Sequence, residues 1–195
     1  VWPFLSWADA ATDLQSAIDA ADPSDDVFAS NGVYHAGGRV HLGALTNRVV
    51  IDKAIRVAAV NGPATTAIEG GGPVGDAAIR GVHLGANASL SGFTVRGGAT
   101  RALGDAGLEQ SGGGIWCEPG AVISNCAVVS NSANAFGGAV YGGRLVNSFL
   151  NGNVAAQGGG LARGEIEFCT VSENGAAEGG GVYEGTGRYS IVYFN

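Results

Sequence analysis

The sequence predicts an all-β fold, a parallel β-helix, from three observations. Glycine accounts for 35 of the 195 residues, against roughly 7% in an average protein, so the chain turns often. From Gly112 onward the sequence repeats at intervals of 25, 21 and 21 residues, which are too short for a pair of helices. Within each repeat the apolar residues are two apart, as in Cys169-Thr170-Val171, which is the period of a β-strand.

Composition excludes several classes of protein. Hydrophobic residues make up 46% of the chain and charged residues 14%, so disorder is not expected. The formal net charge of −7 argues against nucleic acid and anionic membranes as partners, because both require a basic surface. No apolar run is long enough for a membrane span. The chain begins at Val1 rather than at methionine, and we expect it to be part of a longer precursor.

We expect one domain, 1–195, in three parts. Residues 1–26 form an N-terminal cap with a helix over about 7–21, starting at Ser6 with Asp9 three residues later and ending at Asp22-Pro23. Residues 27–111 form irregular coils, and residues 112–195 form the regular repeats. The upstream strands are predicted at Val27–Ala29, Arg48–Ile51, Ile55–Val60, Ala67–Ile68, Ile79–Leu84 and Leu90–Val95.

The regular repeats align in columns. Inward positions predict a core of Val128, Leu150, Val171, Val192, Ile123, Leu145 and Ile166. A structural ladder is predicted from Asn131, Asn153, Asn174 and Asn195. Each would sit at a turn in left-handed geometry and bond the asparagine of the next coil through its amide. Cys117, Cys126 and Cys169 match no zinc or disulfide pattern and are expected to fill the core. We expect no metal and no other cofactor.

One outward column suggests a binding surface. Trp116, Tyr141 and Tyr183 follow inward residues of successive coils, and Arg163 and Glu184 stand beside them. An aromatic row can stack on the apolar faces of sugar rings, so these five residues are the candidate glycan-binding site. The alternative is that the rings only cover the sheet.

Acidic residues offer a weaker catalytic candidate. Glu165 and Glu167 share one strand, about 7 Å apart, within the range of glycosidase carboxyl pairs. A second candidate is the excursion over 98–113, with Arg101, Asp105 and Glu109. The alternative for both is a solvated charged surface. His83 is expected to be a satisfied surface residue.

The chain resembles a known superfamily. Asp13–Ala21, Asp26–Phe28 and Asn31–Tyr34 are similar to the opening of right-handed parallel β-helix proteins of the pectin-lyase-like superfamily, and Gly137–Val140 resembles the repeats of chlamydial polymorphic outer-membrane proteins. The resemblance implies a right-handed parallel β-helix of about 21-residue coils at an extracellular or outer-surface location of a bacterium. Pectin-lyase-like enzymes carry aspartate clusters, but the repeats over 112–195 contain no aspartate.

We therefore expect a non-catalytic secreted or cell-surface protein with a structural, adhesion or glycan-contact role. One alternative is a polysaccharide-degrading lyase or glycoside hydrolase of the same fold. Another is a subunit of a self-assembling extracellular filament, which would associate through an open C-terminal coil. The apolar segment Val1–Leu5 would complete a neighbour's sheet in that case.

Overall fold

The computed structural model describes Phe4 and residues 6–195, so that most of the apolar segment Val1–Leu5 lies outside the described residues. In the described part, 21 short strands form three seven-stranded sheets, and there is one α-helix. The strands of this part pair in parallel except for the edge pair Arg39–Val40 and Thr46–Ile51, which is antiparallel; an isolated antiparallel bridge also joins Gly71 to Ile79.

The strands are distributed over the three sheets in rotation. The first sheet contains β1 (Asp26–Ala29), β5 (Arg56–Ala59), β8 (Ser89–Ser91), β11 (Val122–Ser124), β14 (Arg144–Val146), β17 (Glu165–Glu167) and β20 (Thr186–Arg188). The second contains β2 (Gly32–Tyr34), β6 (Thr66–Glu69), β9 (Thr94–Arg96), β12 (Ala127–Val129), β15 (Phe149–Asn151), β18 (Thr170–Ser172) and β21 (Ile191–Tyr193). The third contains β3 (Arg39–Val40), β4 (Thr46–Ile51), β7 (Ile79–Leu84), β10 (Ile115–Cys117), β13 (Val140–Tyr141), β16 (Leu161–Ala162) and β19 (Val182–Tyr183).

The chain therefore visits the first, second and third sheets in turn, and we call one such passage a circuit. Neighbouring strands of a sheet belong to successive circuits, which is compatible with a parallel β-helix. No helix in the described residues has the length and apolar character needed to cross a membrane.

The predicted columns match the strand register. Ile123 lies opposite Leu145, and Leu145 lies opposite Ile166. Val128 lies opposite Leu150, which lies opposite Val171. These inward residues belong to one hydrophobic cluster that also contains the upstream members of the same columns. Each apolar side chain is thus covered by its equivalents one circuit away.

One predicted core residue is not buried. The side chain of Val192 is 50% exposed, whereas Val171, its partner in the preceding circuit, is fully buried. Val192 lies in β21, the edge strand of the second sheet, so its column has a neighbour on one side only.

The irregular coils follow the same plan upstream. Predicted stretches correspond to β1, β4, β5, β6 and β7, and the predicted stretch Leu90–Val95 divides into β8 and β9. The division falls at Gly92, whose φ of 78° lies in the left-handed region. The short strands β2 and β3 were not predicted, because they are only three and two residues long, and β2 begins at a glycine while β3 follows a pair of glycines.

The N-terminal helix is shorter than predicted. A 3₁₀ turn covers Trp7–Asp9, and the α-helix α1 covers Leu14–Ala20. Asp13, not Ser6, is its N-cap, because the Asp13 carboxylate accepts a hydrogen bond from the Ser16 N–H at 2.8 Å. Leu14 and Ile18 join the core cluster, so α1 covers the start of the stack as expected.

The asparagine column forms a hydrogen-bonded chain, which is buried except at its exposed last member, Asn195. The Nδ2 of Asn131 donates to Oδ1 of Asn153 at 2.9 Å, and the Nδ2 of Asn153 donates to Oδ1 of Asn174 at 2.8 Å. Asn174 donates to Asn195 in the same way. Each backbone N–H of the first three asparagines donates to the same acceptor as its side chain does. The amides therefore join successive circuits.

The expected left-handed geometry lies one residue earlier than predicted. Ser130, Gly152, Glu173 and Phe194 have φ between 49° and 63°, whereas the asparagines that follow them do not have positive φ. The left-handed residue turns the chain, and the asparagine after it points inward, where its amide satisfies nearby carbonyl groups. For Asn153 these are the carbonyls of Val128 and Asn151.

Replacing Asn153 with alanine should strongly destabilise the protein. The change leaves the buried Asn131 N–H without its acceptor, which costs about 1–3 kcal/mol. It also removes the amide bonds to the carbonyls of Val128 and Asn151, although the Asn151 carbonyl keeps the Ser130 N–H as a donor. We expect the free energy of unfolding in urea to fall by about 2–3 kcal/mol. Asn147→Gly is the matched control, because Asn147 is exposed and has φ of 47°. Equal losses for both variants would contradict the role given to the buried column.

The three cysteines are buried, as predicted, and none of them forms a disulfide. All three belong to the core cluster. Burial raises the pKa of Cys117 to about 12 and that of Cys126 to about 11. Ser148 stands at the position equivalent to Cys126 in the next circuit, and its Oγ accepts a hydrogen bond from the Cys126 N–H at 3.2 Å. Small side chains therefore suit this corner between the first and second sheets.

The thiols should react very slowly in the folded protein. The thiolate is the nucleophile, and the raised pKa values leave almost none of it at pH 8 for Cys117 and Cys126. With a chromogenic disulfide reagent at pH 8, we expect the native protein to be labelled orders of magnitude more slowly than the protein in guanidinium chloride. Similar rates in the two conditions would show that the thiols are accessible.

Candidate functional site

The outer face of the third sheet carries a column of side chains in register. Val50, His83, Trp116, Tyr141, Ala162 and Tyr183 occupy equivalent positions on β4, β7, β10, β13, β16 and β19. Strand alternation turns them away from the core, because their neighbours along each strand point inward. We call this set the outer column.

The rings of the outer column stack on one another along the sheet. The Trp116 ring lies between His83, with ring centroids 5.0 Å apart, and Tyr141, at 6.2 Å. Phe136 continues the row, with its ring centroid 6.3 Å from that of Tyr141 and 6.1 Å from that of Tyr183. The Trp116 Nε1–H donates to the Gly107 carbonyl at 2.8 Å.

This geometry limits the predicted glycan surface. Trp116, Tyr141 and Tyr183 do point outward, but all three are half-buried. Both faces of the Trp116 ring are taken by His83 and Tyr141. A sugar ring needs a free aromatic face, so the arrangement favours the alternative in which this row covers the sheet.

Arg163 and Glu184 form an ion pair across neighbouring circuits. The Arg163 Nε lies 2.8 Å from Glu184 Oε2, and its Nη1 donates to the Tyr141 hydroxyl at 3.2 Å. The guanidinium carbon also lies 4.8 Å from the centre of the Phe136 ring, a cation–π distance. About half of each charged side chain is exposed, so the pair borders the aromatic row with polar groups.

The excursion over residues 98–113 covers part of the outer column. Arg101 Nη1 lies 3.0 Å from Glu109 Oε1, and Arg101 Nη2 lies 2.9 Å from Asp76 Oδ1. The Glu109 carboxylate also accepts hydrogen bonds from the backbone N–H groups of Asp105 and Ala44. These backbone bonds, with the contact to Arg101, lower the pKa of Glu109. The predicted trio is therefore brought together, with Glu109 as the acceptor that holds the loop.

Arg80 is buried beneath the same excursion. Its guanidinium donates to the carbonyls of Gly112 and Ser111 at 3.0 and 2.9 Å, to the Leu108 carbonyl, and to Asn47 Oδ1 at 3.0 Å. Burial lowers the pKa of Arg80 to about 9, which leaves it charged at neutral pH. Sequence patterns did not single out Arg80, because its acceptors are carbonyls of a non-repeating segment.

His83 is not the satisfied surface residue that was predicted. It is fully buried, and neither ring nitrogen has a hydrogen-bond partner among the described residues. Its Nε2 lies 3.3 Å from Glu118 Oε1, and its ring centroid lies 4.5 Å from that of His41. Burial, with His41 and Arg80 nearby, lowers the pKa of His83 to about 4, so the imidazole is neutral near pH 7.

Glu165 and Glu167, the two acids of β17, do not form an isolated pair of carboxyls, because one of them is paired with an arginine. Glu165 is exposed and Glu167 is half-buried on the outer face, on either side of the inward Ile166. The Glu167 carboxylate accepts a hydrogen bond from Arg144 on the neighbouring strand β14, which makes it one half of a surface ion pair.

A second outer surface, at the corner between the first and second sheets, was not predicted. A shallow groove there is lined by Pro63, Asn125, Asn147, Phe149, Phe168 and Thr170, among others. We call it the Phe149 groove. Phe149 is flanked in its sheet by Ala127 and Thr170, whose small side chains leave the ring 39% exposed.

Comparisons with known proteins identify no relative. No protein-family model, no curated protein and no solved structure matches the chain.

Glu109→Gln should weaken the fold at neutral pH and have no effect in acid. The lowered pKa of Glu109 means that the ionised carboxylate stabilises the folded state above the ordinary pKa, 4.5. This stabilisation is lost as the pH falls through the lowered value. We expect a lower melting temperature than wild type at pH 7 and a difference that disappears on acidification.

The matched control for this prediction is Glu165→Gln, on the exposed outer face of β17. It should show little change in melting temperature at any pH. A Glu109→Gln deficit that persists unchanged at the lowest pH would contradict the assigned role of the carboxylate.

Proposed function

We propose that this chain is a right-handed parallel β-helix that serves as a non-catalytic scaffold on a secreted or cell-surface protein of a bacterium, and that it contacts glycans through the Phe149 groove. The extracellular location rests on the resemblance of the repeats to pectin-lyase-like β-helices.

The observation that carries the scaffold role is the continuous pairing of successive circuits. The first and second sheets run without interruption from β1 to β20 and from β2 to β21, and the buried asparagine chain joins the last four circuits. Successive circuits are joined by backbone pairing and by apolar contacts, and the last four are also joined by the asparagine amides. Such stacking gives an elongated, rigid body on which a binding surface can repeat.

The non-catalytic role is supported by the pairing of the candidate acids. Glu109 bonds to Arg101 and to two backbone N–H groups, and Glu167 bonds to Arg144. A lowered pKa, such as that of Glu109, suits an ion pair better than a general acid, which needs a raised pKa.

The glycan contact is supported by the chemistry of the Phe149 groove. Phe149 offers a partly exposed ring on the outer face of the second sheet, and a pyranose has an apolar face that can lie on it. Asn125 and Asn147 are exposed beside it, with Asn147 Nδ2 donating to Asn125 Oδ1 at 2.7 Å. The remaining amide groups can bond sugar hydroxyls, so the groove combines an apolar platform with polar flanks.

Binding to a panel of immobilised polysaccharides tests this proposal. We expect Phe149→Ala to weaken binding of a retained polysaccharide about tenfold, which corresponds to roughly 1.4 kcal/mol. Tyr183→Ala is the matched control, because its ring packs in the outer column of the third sheet against Phe136.

The alternatives give different results. Loss of binding with Tyr183→Ala or Arg163→Ala, but not with Phe149→Ala, would place the glycan on the third sheet instead. Release of new reducing ends or of unsaturated products from any polysaccharide would contradict the non-catalytic role. Absence of binding to every polysaccharide in the panel would contradict the glycan contact.

A further inference from the structure

His83 is a buried polar residue whose ring nitrogens form no well-aligned hydrogen bond. Its side chain is 1% exposed. Within the described part of the chain Nδ1 has no hydrogen-bond partner, and Nε2 faces the Glu118 carboxylate at 3.3 Å without hydrogen-bond geometry. Leaving a buried polar atom without a partner costs about as much as a lost hydrogen bond. Such groups are few in native proteins, and a bound ion is one of the partners that can account for them.

Two further ligand groups converge on the same point from different parts of the chain. His41 follows β3, the strand that pairs in antiparallel register with β4. Glu118 follows β10, and its backbone N–H donates to the Leu84 carbonyl at 2.9 Å, beside His83. One ligand atom from each of His41, His83 and Glu118 lies within 4.8 Å of the others.

We propose that His41, His83 and Glu118 form a binding site for a zinc ion. Two imidazoles and one carboxylate are a donor set that zinc accepts with a fourth position left for water. In a tetrahedral zinc site, bond lengths of about 2.0–2.2 Å place ligand atoms roughly 3.3–3.6 Å apart. The 3.3 Å separation between His83 Nε2 and Glu118 Oε1 already fits.

The ligand atoms must move closer together to reach tetrahedral spacing, and two of the three side chains are able to move. His41 and Glu118 are half-buried, so their side chains can rotate toward a bound ion, while the fully buried His83 supplies a fixed ligand. Imidazole favours zinc over calcium and magnesium, which prefer oxygen ligands.

The positively charged Arg80 lies near the proposed zinc site, but it has hydrogen-bond partners of its own. Arg80 carries a positive charge near His83, but its guanidinium is held by the carbonyls of Gly112, Ser111 and Leu108 and by Asn47. The Glu118 carboxylate brings one negative charge to the site. The site is distinct from the Phe149 groove, so it stands or fails independently of the proposed glycan contact.

Isothermal titration of the full chain with zinc chloride, after removal of metal by a chelator, tests the proposal. We expect one ion per chain for wild type and a loss of affinity of at least about 100-fold in His41→Ala and in Glu118→Gln, since even changes to residues that only support metal ligands cost 10–100-fold. His35→Ala is the matched control, because His35 is exposed and outside the cluster. It should bind zinc as wild type does.

A fourth variant separates metal binding from folding. His83→Leu removes the unpaired nitrogens as well as a ligand, so it should abolish zinc binding and still melt in chelator at or above the wild-type temperature. Zinc should raise the melting temperature of wild type and of His35→Ala but not of the three cluster variants.

The overturning results are equally specific. Zinc affinity unchanged in His41→Ala and Glu118→Gln, equal loss in His35→Ala, no zinc binding by wild type, or calcium binding as tight as zinc binding would each refute the site.

Discussion

The buried asparagine chain is the interaction on which the regular part of the molecule depends. After each left-handed corner residue, backbone groups turn toward the interior, where water cannot satisfy them. The asparagine amide supplies both a donor and an acceptor there: Asn153 Nδ2 bonds the carbonyls of Val128 and Asn151, and its Oδ1 accepts from Asn131. The amides of Asn131, Asn153 and Asn174 each donate to the asparagine of the next circuit, so stability resides in contacts between neighbouring circuits.

The start of that chain explains why the fold becomes irregular upstream. Gly98 occupies the position equivalent to Asn131, one circuit earlier, and its N–H donates to Asn131 Oδ1 at 2.8 Å. A Cβ at Gly98 would lie 2.2 Å from the Gly113 carbonyl oxygen, so no asparagine can stand here. The backbone of the returning excursion takes the place of the missing side chain. Gly98 is therefore the upstream limit of the asparagine chain. Its lack of a side chain leaves space for the backbone of the excursion over residues 98–113.

The sequence predicted those features that repeat in phase. The inward columns through Leu145 and Leu150, and the asparagine column, follow from spacing alone, because a constant period places equivalent residues opposite each other in parallel strands. Spacing does not say what lies against an outward residue. It therefore left open whether the Trp116 ring was free to bind a sugar or covered the sheet, and it gave no sign that His83 and Tyr141 stack on that ring.

Features outside the period required three-dimensional information. The start of α1 at Leu14 depends on the Asp13 cap, which competes with a similar pattern at Ser6. The cluster of His41, His83 and Glu118 joins a residue after an antiparallel strand to residues of two later circuits. No column links His41 to the others, so no repeat analysis could place it there. The Phe149 groove likewise depends on the small size of its neighbours Ala127 and Thr170.

Two segments depart from the repeat: the excursion over residues 98–113 and the turn after β3. Both lie over the third sheet, and the Glu109 carboxylate joins them. The excursion supplies Glu109, and the turn after β3 supplies the Ala44 N–H that bonds Glu109 Oε1 at 2.8 Å. That turn also carries His41, three residues before Ala44. A rigid stack offers few ways to bring unlike residues together, because each column places like residues in line. Segments that leave the stack and return to its outer face provide another way, and Glu109 fixes both segments against the third sheet at the place where His41 meets His83.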